Sequence, residues 1–378
     1  MASVSLARSS LIYEWRRYLA AVLAVTFAGL LIVVQVALLL GLLGSVSVVI
    51  DRSSAQLWIG YRGTQSVDLG RGIPAASDLD ARLHPAVTRV ERLYLGYGDW
   101  RRDDGAAVTI MLNGIDERVP GMAYDRLLTP AQRAALAEPG AVLVDAADQA
   151  KLDAVIGAPI EINGRRAHVV GFVSGIRAVG GANVLASHAT VRHLLRNAPD
   201  SNDLTYLLLQ LRPGSDPAQV AGQLGRSAGA ARYSVWQADD FSVASQLYWL
   251  FESGAGIGAG IASLLGLIVG GVITSQTLAA AILASLKEFA TMRALGVSRR
   301  ALRNVVLEQA FWIGILGLAL TGLLAWGIVS LARWAEVAML LPGWLIVGTA
   351  SVVLTIALLS GLYALRPLYR ADPATLLR

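Results

Sequence analysis

Histidine is the side chain best suited to binding a metal ion or moving a proton near neutral pH. The sequence contains four of them, His84, His168, His188 and His193. They form neither the HExxH motif nor another recognised metal-ligand spacing. His188 and His193 are five positions apart, so on a helix they would point about 140° away from each other. We therefore predict surface or packing roles for these histidines, and no metal ion, cofactor or catalytic residue.

Two glycine-rich motifs could also take part in chemistry. GFVSG, at 171–175, lacks the G-x-S-x-G spacing of a nucleophile elbow and predicts a turn. GAGIGAG, at 254–260, could cradle a phosphate, but no Lys-Ser/Thr follows it and it opens an apolar run. Within that run, two glycine pairs have the G-x-x-x-G spacing that lets helices approach closely in lipid: Gly256 with Gly260, and Gly266 with Gly270. We expect these glycines to pack helices, within one protomer or across a dimer.

The segment 287–308 is polar and lies between two apolar runs. An apolar residue recurs at every third position beside three charged residues; the stripe is Leu286, Phe289, Met292 and Leu295, and the charges are Lys287, Glu288 and Arg293. This pattern predicts a short amphipathic helix that ends at Gly296, and Ser298 can cap a second, basic helix after it. Such a segment lies on anionic lipid headgroups or binds an acidic partner, and the pattern alone does not decide between them.

The composition places these motifs in a membrane protein. Apolar residues make up 55% of the 378 positions and charged residues only 16%, which is outside the usual soluble range. The net charge is +5, yet segment 51–253 has slightly more acidic than basic residues, so the basic excess flanks the apolar runs. Nucleic-acid binding is therefore a poor explanation of the charge. The chain has no cysteine, which excludes disulfides and thiolate metal sites.

Four apolar runs are long enough to cross a bilayer, for which about 20 residues suffice. They predict spans at 18–50, 253–286, 309–332 and 337–365. An N-terminal amphipathic helix at 1–17, a loop at 287–308 and a tail at 366–378 carry the basic clusters. By the positive-inside rule these three segments and both termini are cytoplasmic, and the large segment 51–252 is extracytoplasmic. The central turns of the spans carry no ionisable residue, which argues against an ion- or proton-coupled carrier.

The segment 51–252 is large enough to fold as a domain with its own core. Alternating or β-rich runs predict strands near 56–61, 90–97, 108–112, 142–145, 160–162, 168–173 and 204–211. Helical patterns occupy 130–137, 188–197, 216–225 and 239–252, and Asn163-Gly164 predicts a hairpin turn. We expect an α+β domain in which 116–200 is inserted into a unit built from 52–115 and 201–240. The last helix is expected to lead directly into the second span.

The chain resembles the MacB/FtsX-type permeases of ABC transporters. The resemblance rests on KEFATMRALGVSRRALRNVVLEQ at 287–309, GAPIEINGRRAHVVGFV at 157–173, LQLRPGSDPAQVAGQL at 209–224 and RPLYRADPATLLR at the C-terminus. The order of one span, a large outer domain and three spans also fits. The beginning, with VQVALLLGLLGSVSVVIDRSSAQLWIG and TQSVDLG, is most similar to the DevC-type subgroup, whose relatives work with a membrane fusion protein.

The resemblance implies an α-helical inner-membrane protein with four transmembrane helices and an α+β extracytoplasmic domain between the first two. It also implies a homodimer bound to two copies of a separate ABC ATPase, because this chain has no Walker A sequence. The family's coupling loop docks on that ATPase; here it corresponds to Lys287, Glu288, Phe289, Met292, Arg293, Leu295 and Gly296. Closure of the ATPase would then move the outer domain, an action called mechanotransmission.

Two classes of function remain open at this point. The first is an ATP-driven export or extraction permease that works with an adaptor protein and with membrane lipids around it, and not with nucleic acid. The second is a signalling or regulatory subunit whose outer domain senses a ligand or controls a partner enzyme. A membrane enzyme is disfavoured because the sequence contains no constellation of reactive residues.

Overall fold

The computed structural model describes residues 13, 15–74, 77–177, 181–195, 203–226, 233–284, 298–334, 337 and 339–364. The chain divides into two compact units. The helical unit comprises Met1–Gly41 and Ala255–Arg378, and the sheet unit comprises Leu42–Gly254.

The helices in chain order are α1 (Trp15–Val46), α2 (Val48–Asp51), α3 (Ser77–Leu83), α4 (Pro130–Ala135), α5 (Gln149–Leu152), α6 (His188–Leu194), α7 (Pro217–Leu224), α8 (Ala238–Leu247), α9 (Ala255–Ala284), α10 (Arg299–Trp334) and α11 (Gly343–Ala364). The strands are β1 (Leu57–Tyr61), β2 (Ile73–Pro74), β3 (Val87–Arg101), β4 (Ala107–Ile115), β5 (Ala141–Asp145), β6 (Pro159–Ile162), β7 (Arg165–Val173), β8 (Ala182–Ser187), β9 (Asp203–Leu204), β10 (Tyr206–Leu211) and β11 (Tyr233–Gln237). Short 3-10 turns occupy Val67–Leu69 and Ala146–Asp148, and a π-helical turn occupies Tyr248–Glu252.

Four helices are long and apolar enough to cross a membrane, counted over the described residues: Tyr18–Val46, Gly256–Thr277, Arg303–Ala332 and Gly343–Tyr363. A helix satisfies its backbone hydrogen bonds internally, which is the condition for crossing hydrocarbon. These helices and the domain between the first two confirm the predicted fold class, a four-helix membrane protein with an α+β domain.

The helical unit has a buried core of its own, in which small and larger side chains meet. Its buried core includes Tyr18 and Val25 of α1, Ala310 and Ile313 of α10, and Val353 of α11. Thr321 of α10 donates a hydrogen bond to the carbonyl oxygen of Thr26 of α1 at 3.2 Å. Small residues let helix backbones approach closely in lipid, where van der Waals contact and such hydrogen bonds replace the hydrophobic effect between helices.

The sheet unit is built on one mixed nine-stranded sheet. The strand order is β11-β1-β10-β3-β4-β8-β5-β7-β6. The β4–β8 and β5–β7 pairs are parallel, and the other pairs are antiparallel. Strands β2 and β9 form a separate two-stranded pair.

Both faces of this sheet are buried. Leu57 and Ile59 of β1 contribute to one hydrophobic core, and Trp58 between them contributes to the other. In β5, Val142 belongs to the first core and Leu143 to the second. This alternation follows from the two-residue period of a strand, which sends neighbouring side chains to opposite faces. Both cores thus draw residues from 52–115 and from 116–200.

Strand β3 joins the two portions of the sheet. It is 15 residues long, and its first part pairs with β10 while its second part pairs with β4. Its last residues, Trp100 and Arg101, also pair with β6. The segment 116–200 therefore adds strands to the same sheet as 52–115.

The predicted hairpin at Asn163-Gly164 is confirmed. Asn163 and Gly164 have φ angles of 53° and 77° and connect the antiparallel strands β6 and β7. Positive φ at both central residues defines a type I′ turn, which Asn-Gly favours because neither residue resists the left-handed region strongly.

Candidate functional site

The predicted coupling segment lies outside the described residues. It comprises Lys287, Glu288, Phe289, Met292, Arg293, Leu295 and Gly296. The description resumes at Ser298, whose hydroxyl accepts a hydrogen bond from the backbone amide of Ala301 at 3.3 Å. This is the bond expected of a residue that caps the start of α10.

The four predicted packing glycines occupy different environments. Gly266 and Gly270 of α9 face α1, where an added Cβ would meet Leu31 at 2.8 Å in the first case and would overlap Ala28 in the second. Gly256 is buried. Gly260 is exposed and faces open space in the single chain.

We predict that valine destabilises the protein at one of these glycines and is tolerated at another. Gly270→Val should destabilise the helical unit by about 1 to 3 kcal/mol, because the new side chain has no room beside Ala28. Gly260→Val should leave the fold intact, because its Cβ meets nothing within 4 Å. Thermal unfolding of the purified proteins in detergent measures both effects. Equal stability of Gly270→Val and the unaltered protein would contradict the predicted α1–α9 contact.

Three of the histidines lie close to polar groups of other residues, and the GFVSG motif ends in a turn. His188 Nε2 lies 2.8 Å from the carbonyl oxygen of Arg92, and His84 Nε2 lies 2.9 Å from Gln223 Oε1. His168 Nε2 lies 3.2 Å from Glu138 Oε1. GFVSG forms the end of β7 and a turn in which Gly175 has a φ of 91°, as predicted.

The first polar cluster of interest lies where the sheet unit begins. Helix α1 ends at Val46, Ser47 is fully buried, and the short helix α2 follows. The Ser47 hydroxyl donates to Asp51 Oδ2 at 2.7 Å, and the Ser242 hydroxyl of α8 donates to Asp51 Oδ1 at 2.7 Å. Gln246 Nε2 donates to Ser47 Oγ at 2.8 Å. We call Ser47, Asp51, Ser242 and Gln246 the junction, because they bind the start of this unit to its last helix.

Further hydrogen bonds continue along α8 towards the end of the sheet unit. The backbone amide of Val67 donates to Ser245 Oγ at 3.1 Å, and Trp249 Nε1 donates to Asp68 Oδ1 at 3.3 Å. Gln65 Nε2 donates to Glu252 Oε2 at 2.9 Å. The segment 65–68 therefore binds the C-terminal part of α8 and the π-helical turn after it.

Aromatic packing fixes α8 to the sheet. The Phe241 ring stacks on Trp236 of β11 with 4.5 Å between ring centroids and an interplanar angle of 9°. Trp58 and Tyr206 surround the same ring, at 6.0 and 5.7 Å between centroids. Offset stacked and edge-on aromatic pairs add about 0.5 to 1.5 kcal/mol each beyond area burial. Helix α8 is therefore held against the sheet by three aromatic rings.

The expectation that the last helix leads directly into the second span is wrong in detail. Helix α8 ends at Leu247, the π-helical turn Tyr248–Glu252 follows, and α9 begins only at Ala255. Gly254 interrupts the path with a φ of 80°. Other residues rarely adopt this left-handed conformation, which costs about 1 to 2 kcal/mol for a side chain with a Cβ.

A buried charged group secures the segment 116–123 against the sheet. Glu91 of β3 is fully buried, and its carboxylate accepts hydrogen bonds from the backbone amides of Met122 and Ala123. Arg133 of α4 donates to the carbonyl oxygens of Asp116, at 2.7 Å, and Ala123. Burial raises the pKa of Glu91 and lowers the pKa of Arg133, because each loses hydration of its charged form.

Sequence reasoning missed the junction. Ser47 and Gln246 are separated by 199 positions, and serine, aspartate and glutamine at such a distance give no periodic or motif signal. Gly317 and Thr321 were missed as well, although their small-x-x-x-small spacing on α10 could have found them. Gly317 lies against Val25 of α1.

An α+β domain carried between the first and second of four apolar helices is the architecture of a membrane protein with an extracytoplasmic domain. Residues 18–227 match the family model of the MacB-like periplasmic core domain, and residues 260–373 match that of the FtsX-like permease C-terminal region. The first match alone covers more than half of the chain, so the chain belongs to the MacB/FtsX-type family of ABC transporter permeases. Membership in this family implies an ABC ATPase as a partner.

Solved structures of two related domains are similar to this chain. One is the periplasmic region of MacB from Actinobacillus actinomycetemcomitans, with 14% identity, a TM-score of 0.38, and coverage of 51% of this chain and 94% of that one. The other is the extracellular domain of the noncanonic ABC-type transporter YknZ from Gram-positive bacteria, with 13% identity, a TM-score of 0.36, and coverage of 49% and 100%. No curated protein matches the sequence.

Proposed function

We propose that this permease converts ATP hydrolysis by a separate ATPase subunit into movement of its extracytoplasmic domain, in order to export or extract a substrate. The observation that carries the proposal is the junction. Ser47 and Asp51 continue from α1, and Ser242 and Gln246 lie on α8, so the two ends of the sheet unit that connect to the apolar helices are hydrogen-bonded to each other. Movement of either end then moves the whole sheet.

The ATPase is proposed to act through the coupling segment. Phe289, Met292 and Leu295 would fill an apolar groove on the ATPase, while Lys287, Glu288 and Arg293 would fix the orientation by charge pairing. The match of residues 260–373 to the FtsX-like permease region supports this proposal, because the segment lies inside the matched range. The chain itself then needs no nucleotide site.

The assembly around this subunit is also a proposal. We place it in the inner membrane with both termini in the cytoplasm, because basic residues flank the spans on one side. Membership in the MacB/FtsX-type family supports a homodimer. The resemblance of the segments 34–60 and 64–70 to the DevC-type subgroup supports a membrane fusion protein as the periplasmic partner. The outer domains of the two copies would move relative to each other during the ATP cycle.

A pair of spin labels can test this movement directly. The chain has no cysteine, so Gln219→Cys introduces one labelling site per protomer, on the exposed surface of α7. In the dimer bound to its ATPase, we expect the distribution of label-to-label distances to shift between the nucleotide-free and vanadate-trapped states. Double electron-electron resonance measures it. Identical distance distributions in the two states would contradict a moving outer domain.

The junction should be required for that movement. Asp51→Ala with Gln246→Ala removes the hydrogen bonds between α2 and α8, so the distance change should shrink while the ATPase stays bound. Arg101→Ala with Glu161→Ala is the matched control, because it removes an exposed ion pair of the same unit, at 3.4 Å, away from the junction. If both double variants retain the full distance change, the junction does not transmit the movement.

A further inference from the structure

One stretch of β3 has a strand on only one side. Residues Thr88 to Arg92 lie beside β10, whereas the pairing of β3 with β4 begins at Tyr94. Over the described part of the chain, no strand pairs with Thr88–Arg92 on the side of β4. An open groove of about 1190 Å³, part of which is bulk solvent, runs along this edge. Val119 and Pro120 also line this groove.

The backbone direction shows which groups face the groove. The carbonyl oxygen of Leu93 accepts a hydrogen bond from the amide of Thr205, so Leu93 points towards β9 and β10. Because antiparallel backbone groups alternate in direction, Val90 and Arg92 point to the groove. The carbonyl of Arg92 confirms this, since it accepts a hydrogen bond from His188 at 2.8 Å. The amide and carbonyl of Val90 are therefore directed at the groove.

The positive and negative side chains of the groove differ in how far they are exposed to solvent. Its arginines are partly or largely exposed: the side chains of Arg118, Arg82, Arg92 and Arg89 are 84%, 53%, 40% and 28% accessible. Their carboxylate partners are recessed, because Asp116, Asp78 and Glu91 are 18%, 7% and 0% accessible. The groove thus presents guanidinium groups to anything that enters it.

We propose that this groove binds an acidic, extended segment of a partner protein, which adds a strand to β3 beside Thr88–Arg92. Strand addition uses main-chain hydrogen bonds at an open sheet edge for affinity. The arginines select carboxylate side chains, because a guanidinium pairs with them in two parallel hydrogen bonds. The guanidinium groups come from α3, from β3 and from the segment after β4, which suits an elongated ligand better than a single phosphate group. This binding would involve the sheet unit alone and does not depend on the coupling mechanism.

Labelled hexapeptides provide the test, with the full-length protein in nanodiscs and fluorescence polarisation as the readout. A peptide of alternating glutamate and valine should bind, and one of alternating lysine and valine should not. The glutamate and valine peptide methylated on every backbone nitrogen carries the same charge but lacks all backbone donors, so it should bind at least about tenfold more weakly. Binding of the first peptide should weaken as salt rises.

Two variants separate the backbone contribution from the charge contribution. Val90→Pro removes the amide that faces the groove and keeps the ladder with β10, and Val90→Ala is its control because it retains the amide. Arg82→Gln with Arg118→Gln removes two exposed cations, and Arg101→Gln with Arg166→Gln makes the same charge change elsewhere. We expect each groove variant, and neither control, to lose about tenfold in affinity.

Several results would overturn the proposal. The N-methylated peptide, or vesicles of phosphatidylglycerol, could bind as tightly as the glutamate and valine peptide, which would mean that the groove recognises charge without strand pairing. Unchanged affinity in Val90→Pro would mean the same. No measurable binding of the glutamate and valine peptide would exclude this occupant. A circular-dichroism spectrum and melting temperature matching the unaltered protein verify that each variant is folded.

Discussion

Leu295→Asp together with Arg293→Glu is expected to separate this permease from its ATPase. The first change places a carboxylate in the proposed apolar groove, and the second reverses a charge that orients the helix. Buried contacts of this kind cost about 2 to 4 kcal/mol or more each when disrupted, so the combined loss corresponds to at least about a thousandfold in affinity. Co-purification of the two subunits and a titration of the ATPase against the permease in detergent measure the effect.

Arg300→Glu is the matched control for this experiment. It reverses a charge seven positions further along, at an exposed position in the first turn of α10. We expect it to retain the ATPase. If the double variant binds the ATPase as tightly as the control does, the face formed by Phe289, Met292 and Leu295 does not dock there. A helix that rests on lipid headgroups would then be the better interpretation of this segment.

Glu91→Ala is expected to be among the most destabilising single changes in the outer domain. It removes the acceptor for the amides of Met122 and Ala123 and the nearby negative charge that favours buried Arg133. Unsatisfied buried groups and an uncompensated charge together cost about 3 to 5 kcal/mol. Thermal or denaturant unfolding of the full-length protein, followed by tryptophan fluorescence, measures the loss.

Glu161→Ala is the control, because its ion pair with Arg101 is exposed and should contribute less than about 1 kcal/mol. Similar losses for the two variants would contradict the assigned role of Glu91.

The pH dependence of the free energy of unfolding provides a second test of this role. Burial raises the pKa of Glu91 above its ordinary value of 4.5, so the native state keeps this proton to higher pH than the unfolded state does. The part of the free energy of unfolding that comes from this pKa shift is therefore full below about pH 4.5 and is lost as pH rises through the folded-state pKa. The alanine variant should lack this decline.

The features predicted correctly from the sequence are those encoded by neighbouring residues. The apolar runs predicted the four membrane-spanning helices, because hydropathy over about 20 positions is a local property of the sequence. Asn163-Gly164 predicted its hairpin because the turn depends on the conformational preferences of two residues. The α+β character followed from alternating segments in the same way.

Other features depend on residues far apart in the chain. Strands β8 and β11 were not predicted. In β8, Ala182–Ser187 contains only one β-branched residue and is uniformly buried, so neither its composition nor its pattern indicates a strand. The prediction of 90–97 covered only the middle of β3, whose ends are fixed by partners as distant as Leu211 and Glu161. The junction and the open edge at Thr88–Arg92 arise from such pairings, and a single sequence contains no signal for them.

The length of β3 determines how the outer domain unfolds. One strand, β3, supplies hydrogen bonds to β10, β4 and β6. If either portion of the sheet unfolds, strands of the other portion therefore lose hydrogen-bond partners. The domain should accordingly lose its native structure in one cooperative transition. A shortened version that omits 116–200 would leave the second half of β3 without β6 and would remove the β8 partner of β4. It would therefore be an aggregation-prone fragment and not a minimal domain.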